Sequence, residues 1–161
     1  MLQNIVKDWK KWAVLALRIT FGVLVIVASM DKVLKPIDFS QMVTNYRIPF
    51  FLTPEVSRWI GIWLPYVEIM VGAFLIFGIW LDAAVIINSI LMAVFTALVT
   101  QAYFRGLDIS CGCFAVDEAA PSIGIGKVIE NLVLTGGSIL LAWMTFKFNL
   151  VDSLKVRFSK Y

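Results

Sequence analysis

Residues 59–104 read WIGIWLPYVEIMVGAFLIFGIWLDAAVIINSILMAVFTALVTQAYF. Two carboxylates, Glu68 and Asp82, are the only side chains of this stretch charged at neutral pH. It divides into apolar runs over roughly 59–80 and 83–104. A helix of about twenty residues rises about 30 Å, the depth of a bilayer's hydrocarbon core. Inside lipid the backbone must satisfy its own polar groups, so runs of this length are helices. The link between them, WLDAA, leaves room only for a tight turn. The stretch is therefore predicted to be an antiparallel helical hairpin that crosses a membrane twice.

Two further spans lie outside it, roughly 12–30 and 128–146. The remaining composition agrees: 60% of the 161 residues are hydrophobic, 16% are charged, and mean hydropathy is +0.87. Soluble domains hold about 45–50% apolar and about 25% charged residues. The expected fold class is all-α, an integral membrane four-helix bundle, as one domain over residues 1–161. The first span has a basic approach (Lys7, Lys10, Lys11), as a signal peptide would. Its length and the internal Arg18 favour a retained helix.

Between the first two spans lie nearly thirty residues. Phe39, Met42, Val43 and Tyr46 recur there at helical spacing between Pro36 and Pro49. This predicts a short amphipathic surface helix in the first outer loop. The two tails carry seven Lys and Arg residues close to their spans, and the two long loops carry six. By the positive-inside rule the tails are read as cytoplasmic and the long loops as external. With no aromatic-interleaved basic patch, the net charge of +3 gives no reason to expect nucleic acid.

The chain has no histidine, which excludes imidazole bases, His-ligated haem and the common zinc and iron sites. No metal is expected. Its two cysteines, Cys111 and Cys113, flank one glycine in the polar loop RGLDISCGCFAVDE (105–118). A Cys-X-Cys disulfide needs a sharp turn at the middle residue, which glycine permits. So small a ring is strained and readily reduced, and it suits electron exchange better than bracing. A permanent staple and a copper(I) pair remain the alternatives.

Ionisable residues within spans are costly and are functional candidates by default. Arg18 and Glu68 are expected to reach each other inside the membrane, as a functional pair or as a buried pair that sets helix register. Glu130, beside Asn131, opens the last span just below the cysteine loop. Lys32 and Arg105 end the first and third spans at that level. Cations there would raise the thiolate fraction of the cysteines, and Glu130 would take the protons that thiol oxidation releases. The plainer reading is of charges snorkelling into water. Asn88, Met92, Thr96, Thr100 and Tyr103 form a polar stripe on the third span that suits interhelical hydrogen bonds. Pro65 is expected to kink the second span and open space near Tyr66 and Glu68.

LRITFGVLVIVASMDKVLKPIDF (17–39), NYRIP (45–49), LPYVEIMVGAFLIFG (64–78), FRGLDISCGCF (104–114) and KVIENLVL (127–134) occur in this order. In these pieces the chain resembles the DoxX-like membrane proteins, specifically the MauE branch. The resemblance implies a four-helix bundle in the bacterial inner membrane with the cysteine loop on the periplasmic face. It implies a part in maturing the disulfide-rich methylamine dehydrogenase beside a thioredoxin-like protein, periplasmic or membrane-anchored. By analogy with quinone-linked relatives, a quinone is the expected cofactor, with Arg18, Glu68, Tyr66 and Asn131 as candidate binding residues. Cys111, Cys113, Glu130, Lys32 and Arg105 are the candidate catalytic residues. The lipid bilayer is the other expected partner, and the state is open between monomer and homo-oligomer. The leading expectation is a thiol–disulfide redox component. A non-catalytic assembly subunit is the alternative, followed by a small transporter or a copper(I) handler.

Overall fold

The computed structural model describes residues 2–46, 53–107, 109 and 124–147, with side chains from Trp12 onward except Pro54. Within these residues the chain forms five helices: α1 (Leu2–Leu34), α2 (Pro36–Asn45), α3 (Pro54–Phe77), α4 (Leu81–Phe104) and α5 (Ile125–Lys147). Four contain segments long and apolar enough to cross a bilayer: Trp12–Leu34, Glu55–Phe77, Leu81–Phe104 and Ile125–Lys147. The expected membrane four-helix bundle is thus the observed one. Met70, Ile90 and Val133 are more than half exposed on the bundle's outside, a surface suited to lipid rather than water.

Helix ends differ from the hydropathy boundaries for local reasons. α3 starts at Pro54, before the apolar run, because proline fits the first helical position and Thr53 precedes it in extended conformation. It stops at Phe77 because Gly78 takes the left-handed conformation (φ 73°) and donates its N–H to the Phe74 carbonyl. Gly78, Ile79 and Trp80 make the whole turn into α4. α1 continues N-terminally as a helix to Leu2, well beyond its apolar segment.

The antiparallel pair α1/α3 packs most closely, followed by α4/α5; α3 joins the pairs, and α1 meets α5 along a thinner seam. At the α1/α3 crossing two glycines face each other. A Cβ on Gly22 would lie 2.6 Å from Ile76 Cγ1 and 2.8 Å from the Gly72 carbonyl oxygen. A Cβ on Gly72 would lie 2.7 Å from Ile26 Cγ1 and 2.9 Å from the Gly22 carbonyl oxygen. Each glycine therefore seats the isoleucine that follows the other by four residues. Small residues of this kind let membrane helices approach and gain dispersion contacts. The α1/α5 seam is closed by the Phe21 ring against Gly137. The α4/α5 pair is laced by hydroxyls. Thr96 Oγ1 donates to the Asn131 carbonyl at 3.1 Å, Thr135 Oγ1 to the Met92 carbonyl at 3.1 Å, and Ser89 Oγ reaches the Ser138 carbonyl at 3.1 Å. Of the α4 polar stripe, the Thr96 side chain takes the expected role, and Met92 contributes only its backbone carbonyl.

α2 lies along α3 with Phe39 and Tyr46 buried and Met42 and Val43 partly so, the face read from the sequence. The end of the bundle that carries α2 is called here the loop end. The opposite end holds the α3/α4 turn.

Arg18 is at the turn end, not beside Glu68, which corrects the expected pair. Its Nε donates to the Leu75 carbonyl at 3.0 Å and its Nη2 to the Ile76 carbonyl at 3.3 Å. These carbonyls lie in the last turn of α3, where helix acceptors lack intrahelical partners and the helix dipole is negative. Helical side chains lean toward their own N-terminus. Arg18 therefore leans away from Glu68 and toward the α3 C-terminus. Replacing Arg18 by methionine keeps the stem and removes the donors. The variant is expected to lose about 1–2 kcal/mol, measured by denaturant titration of the micelle-solubilised protein.

Candidate functional site

The four long helices surround a buried ion pair toward the loop end. Lys32 Nζ lies 2.9 Å from Glu68 Oε2 and 3.0 Å from Oε1. Ser29 Oγ lies 2.7 Å from Glu68 Oε2 and 2.7 Å from the Val25 carbonyl oxygen, so its one proton serves either acceptor. Lys32 is 2%, Glu68 3% and Ser29 0% exposed. The direction of helical side chains explains the meeting. Lys32 leans down α1 into the bundle, and Glu68 leans up the antiparallel α3 toward it. The ammonium also lies 4.4 Å from the centre of the Phe95 ring and 5.3 Å from that of Phe39. It is thus enclosed by a carboxylate and two aromatic rings, which both favour a cation. Lys32 does not snorkel to the interface, the plainer sequence reading; its charge is spent inside the bundle.

A cavity of about 40 Å³ adjoins the pair, lined by Lys32, Glu68, Met92, Phe95 and Asn131 and by apolar residues of α1 and α5, among them Val25 and Leu134. It has room for water, which needs about 10–15 Å³ on this scale. Asn131 Nδ2 donates to the Lys127 carbonyl at 2.9 Å. Further along the same stripe of α4, Asn88 is 1% exposed, and its amide makes no hydrogen bond to any described residue.

Three of the sequence-derived candidates therefore converge: Lys32, Glu68 and Asn131. Arg18 lies at the other end. Tyr66 is 53% exposed on the outward face of α3 and does not line the cavity, although its neighbour Pro65 is buried. Glu130 pairs with Lys127 at 2.8 Å within the first turns of α5, partly exposed. Arg105 is exposed, and its Nη1 donates to the Tyr46 carbonyl at 3.3 Å, tying the end of α4 to the end of α2. Burial pushes the Tyr46 phenol up to about 12. Cys111 and Cys113 lie outside the described residues. The loop that carries them joins α4 to α5 at the loop end. Sequence reading missed Ser29, Phe39 and Phe95 as surroundings of the pair. Ser29 stands three residues before Lys32, a spacing that places both on one helix face. Phe95 carried no signal beyond its apolarity. Among the described residues no group of three or more Cys, Asp and Glu could hold a metal ion.

A family model described as methylamine utilisation protein MauE matches residues 10–144. The chain is 31% identical over 128 residues to the methylamine utilization protein MauE of Paracoccus denitrificans, covering 79% of this chain and 67% of that protein. No solved structure matches it.

Proposed function

From the premise that this chain belongs to the MauE family, we propose that it serves methylamine utilisation as a membrane thiol–disulfide redox component. In the oxidising direction a partner dithiol attacks the Cys111–Cys113 disulfide. A mixed disulfide forms and resolves, leaving the partner oxidised and both cysteines as thiols. Two electrons and two protons pass to this chain. A thioredoxin-like protein on the outer face is the proposed partner, and a quinone the proposed acceptor that returns the pair to the disulfide as it becomes quinol. The cavity beside Lys32 and Glu68 is water-sized and does not admit a quinone ring.

One observation carries this reading. The loop with the chain's only two thiols joins α4 to α5 at the end of the bundle toward which a buried carboxylate, an ammonium and a water-sized cavity are gathered. The thiol loop thus connects two of the helices that line the cavity, α4 and α5, which supports a coupling of proton and electron chemistry. The second reading, a non-catalytic assembly subunit, is favoured by the mutual neutralisation of Lys32 and Glu68, which suits a purely structural pair.

Single Cys111→Ser and Cys113→Ser variants decide between them. One of the two is expected to trap a thioredoxin-fold protein as a mixed disulfide in membranes, and the double variant to abolish growth on methylamine. If the double variant grows like wild type and no mixed disulfide forms, the redox reading fails and the assembly reading stands.

A further inference from the structure

A groove of about 370 Å³ runs along the outside of the bundle between α2 and the first turns of α3. Its walls include Ile37, Ser40, Gln41 and Thr44 on α2 and Arg58 and Ile62 on α3. Its width is set by Gly61, where a Cβ would lie 2.7 Å from Ser40 Cβ and 3.1 Å from the Pro36 carbonyl oxygen. α2 therefore rests against the bare backbone of α3.

Charge is the first argument. Every other cation with a described side chain has a partner within the chain. Arg18 holds carbonyls, Lys32 holds Glu68, Lys127 holds Glu130, and Lys147 lies 4.2 Å from the Trp143 ring centre. Arg105 and Lys35 are engaged as well. Arg58 makes no hydrogen bond or ion pair to any described residue. The nearest acids along the two helices, Asp38 and Glu55, do not line the groove. Ser40 Oγ donates to the Ile37 carbonyl and Thr44 Oγ1 to the Ser40 carbonyl. The donors still offered to the groove are thus the Arg58 guanidinium and the exposed Gln41 amide.

Depth is the second. Trp59 and Trp63, 64% and 60% exposed, follow Arg58 on the outward side of α3. Exposed tryptophans collect where headgroups meet hydrocarbon. Arg58 thus stands at headgroup level, and Ile62, one turn deeper, begins the apolar zone. A free oxyanion would use the guanidinium and leave the apolar walls bare. A lipid uses both.

We propose that this groove binds an anionic phospholipid, with its phosphate on Arg58 and Gln41 and its glycerol and upper acyl chain against Ile37 and Ile62. The site is independent of the thiol chemistry.

The test uses the full chain in detergent micelles and counts retained lipid by native mass spectrometry. Phosphatidylglycerol is expected to bind about tenfold more tightly than phosphatidylcholine. Arg58→Gln should erase that preference, and Lys147→Gln, the same charge change at the other end, should keep it. Gln41→Trp fills the groove from its open side with Arg58 intact and should also weaken binding. Equal retention of the two lipids by wild type overturns the proposal, as does a preference that survives either groove variant. Displacement of phosphatidylglycerol by millimolar inorganic phosphate would assign the site to a free oxyanion and overturn it too.

Discussion

Glu68→Ala is expected to destabilise the bundle by about 3–5 kcal/mol. The variant leaves the Lys32 ammonium 2% exposed beside two aromatic rings, with its carboxylate partner gone. Water in the adjoining cavity can solvate the ammonium only in part and brings no counter-charge, and lipid brings neither. Lys32→Ala is expected to cost a similar amount for the mirror reason, and Ser29 Oγ would remain as a lone donor to the stranded carboxylate. The double variant Lys32→Met/Glu68→Leu should behave differently. Apolar pairs of similar volume often match or exceed a buried ion pair in stability, by up to about 4 kcal/mol. Tryptophan fluorescence during denaturant titration gives all four corners of the double-mutant cycle. A Glu68→Ala loss below about 1 kcal/mol would contradict the buried pair. A double variant that is stable but no longer supports methylamine growth would assign the pair to the chemistry. One that is stable and supports growth would assign it to architecture.

Gly72→Val is expected to be nearly as damaging, at about 3 kcal/mol or more, because the added atoms meet backbone as well as side chain. Even alanine at Gly22 or Gly72 places its Cβ within 3 Å of the opposite carbonyl oxygen. Alanine raises intrinsic helix propensity by about 1 kcal/mol over glycine. A net loss in Gly22→Ala and Gly72→Ala would therefore isolate the cost of prising α1 from α3. Gly136 supplies the control. It is exposed on α5, and a Cβ added there would meet no atom within 4 Å, so Gly136→Ala should be neutral or slightly stabilising. Equal behaviour of the three alanine variants in thermal unfolding would sink the glycine-crossing account.

The spans, the α3/α4 hairpin and the buried face of α2 were legible in the sequence because each rests on a period or a length: about twenty apolar residues, a link too short for more than a tight turn, and apolar residues at helical spacing. The turn itself is Gly78–Trp80, and Leu81–Ala84 of the expected link already belong to α4. The ion pair was not legible in the same way. The expected pairing of Arg18 with Glu68 takes the helices to begin and end level with each other. In fact α3 starts early, at Pro54, and its first turns run beside α2. Register between α1 and α3 is fixed by the meeting of Gly22 with Gly72, which hydropathy does not see. The direction of side chains along antiparallel helices then selects Lys32 over Arg18 as the partner of Glu68. Both rules are physical and readable, but only once the facing glycines are known.

The Lys32–Glu68 pair also bears on biogenesis. Its two halves come from α1 and α3, which leave the ribosome in that order, and lie 36 residues apart. Until α3 emerges, α1 carries an ammonium without its Glu68 partner, as well as an Arg18 whose carbonyl acceptors have yet to be made. Such a segment enters lipid at a cost of about 2.5–3.5 kcal/mol for each charge at its centre, less toward its ends. α1 is therefore best held at the insertion machinery until α3 arrives, and the two released together as a pair.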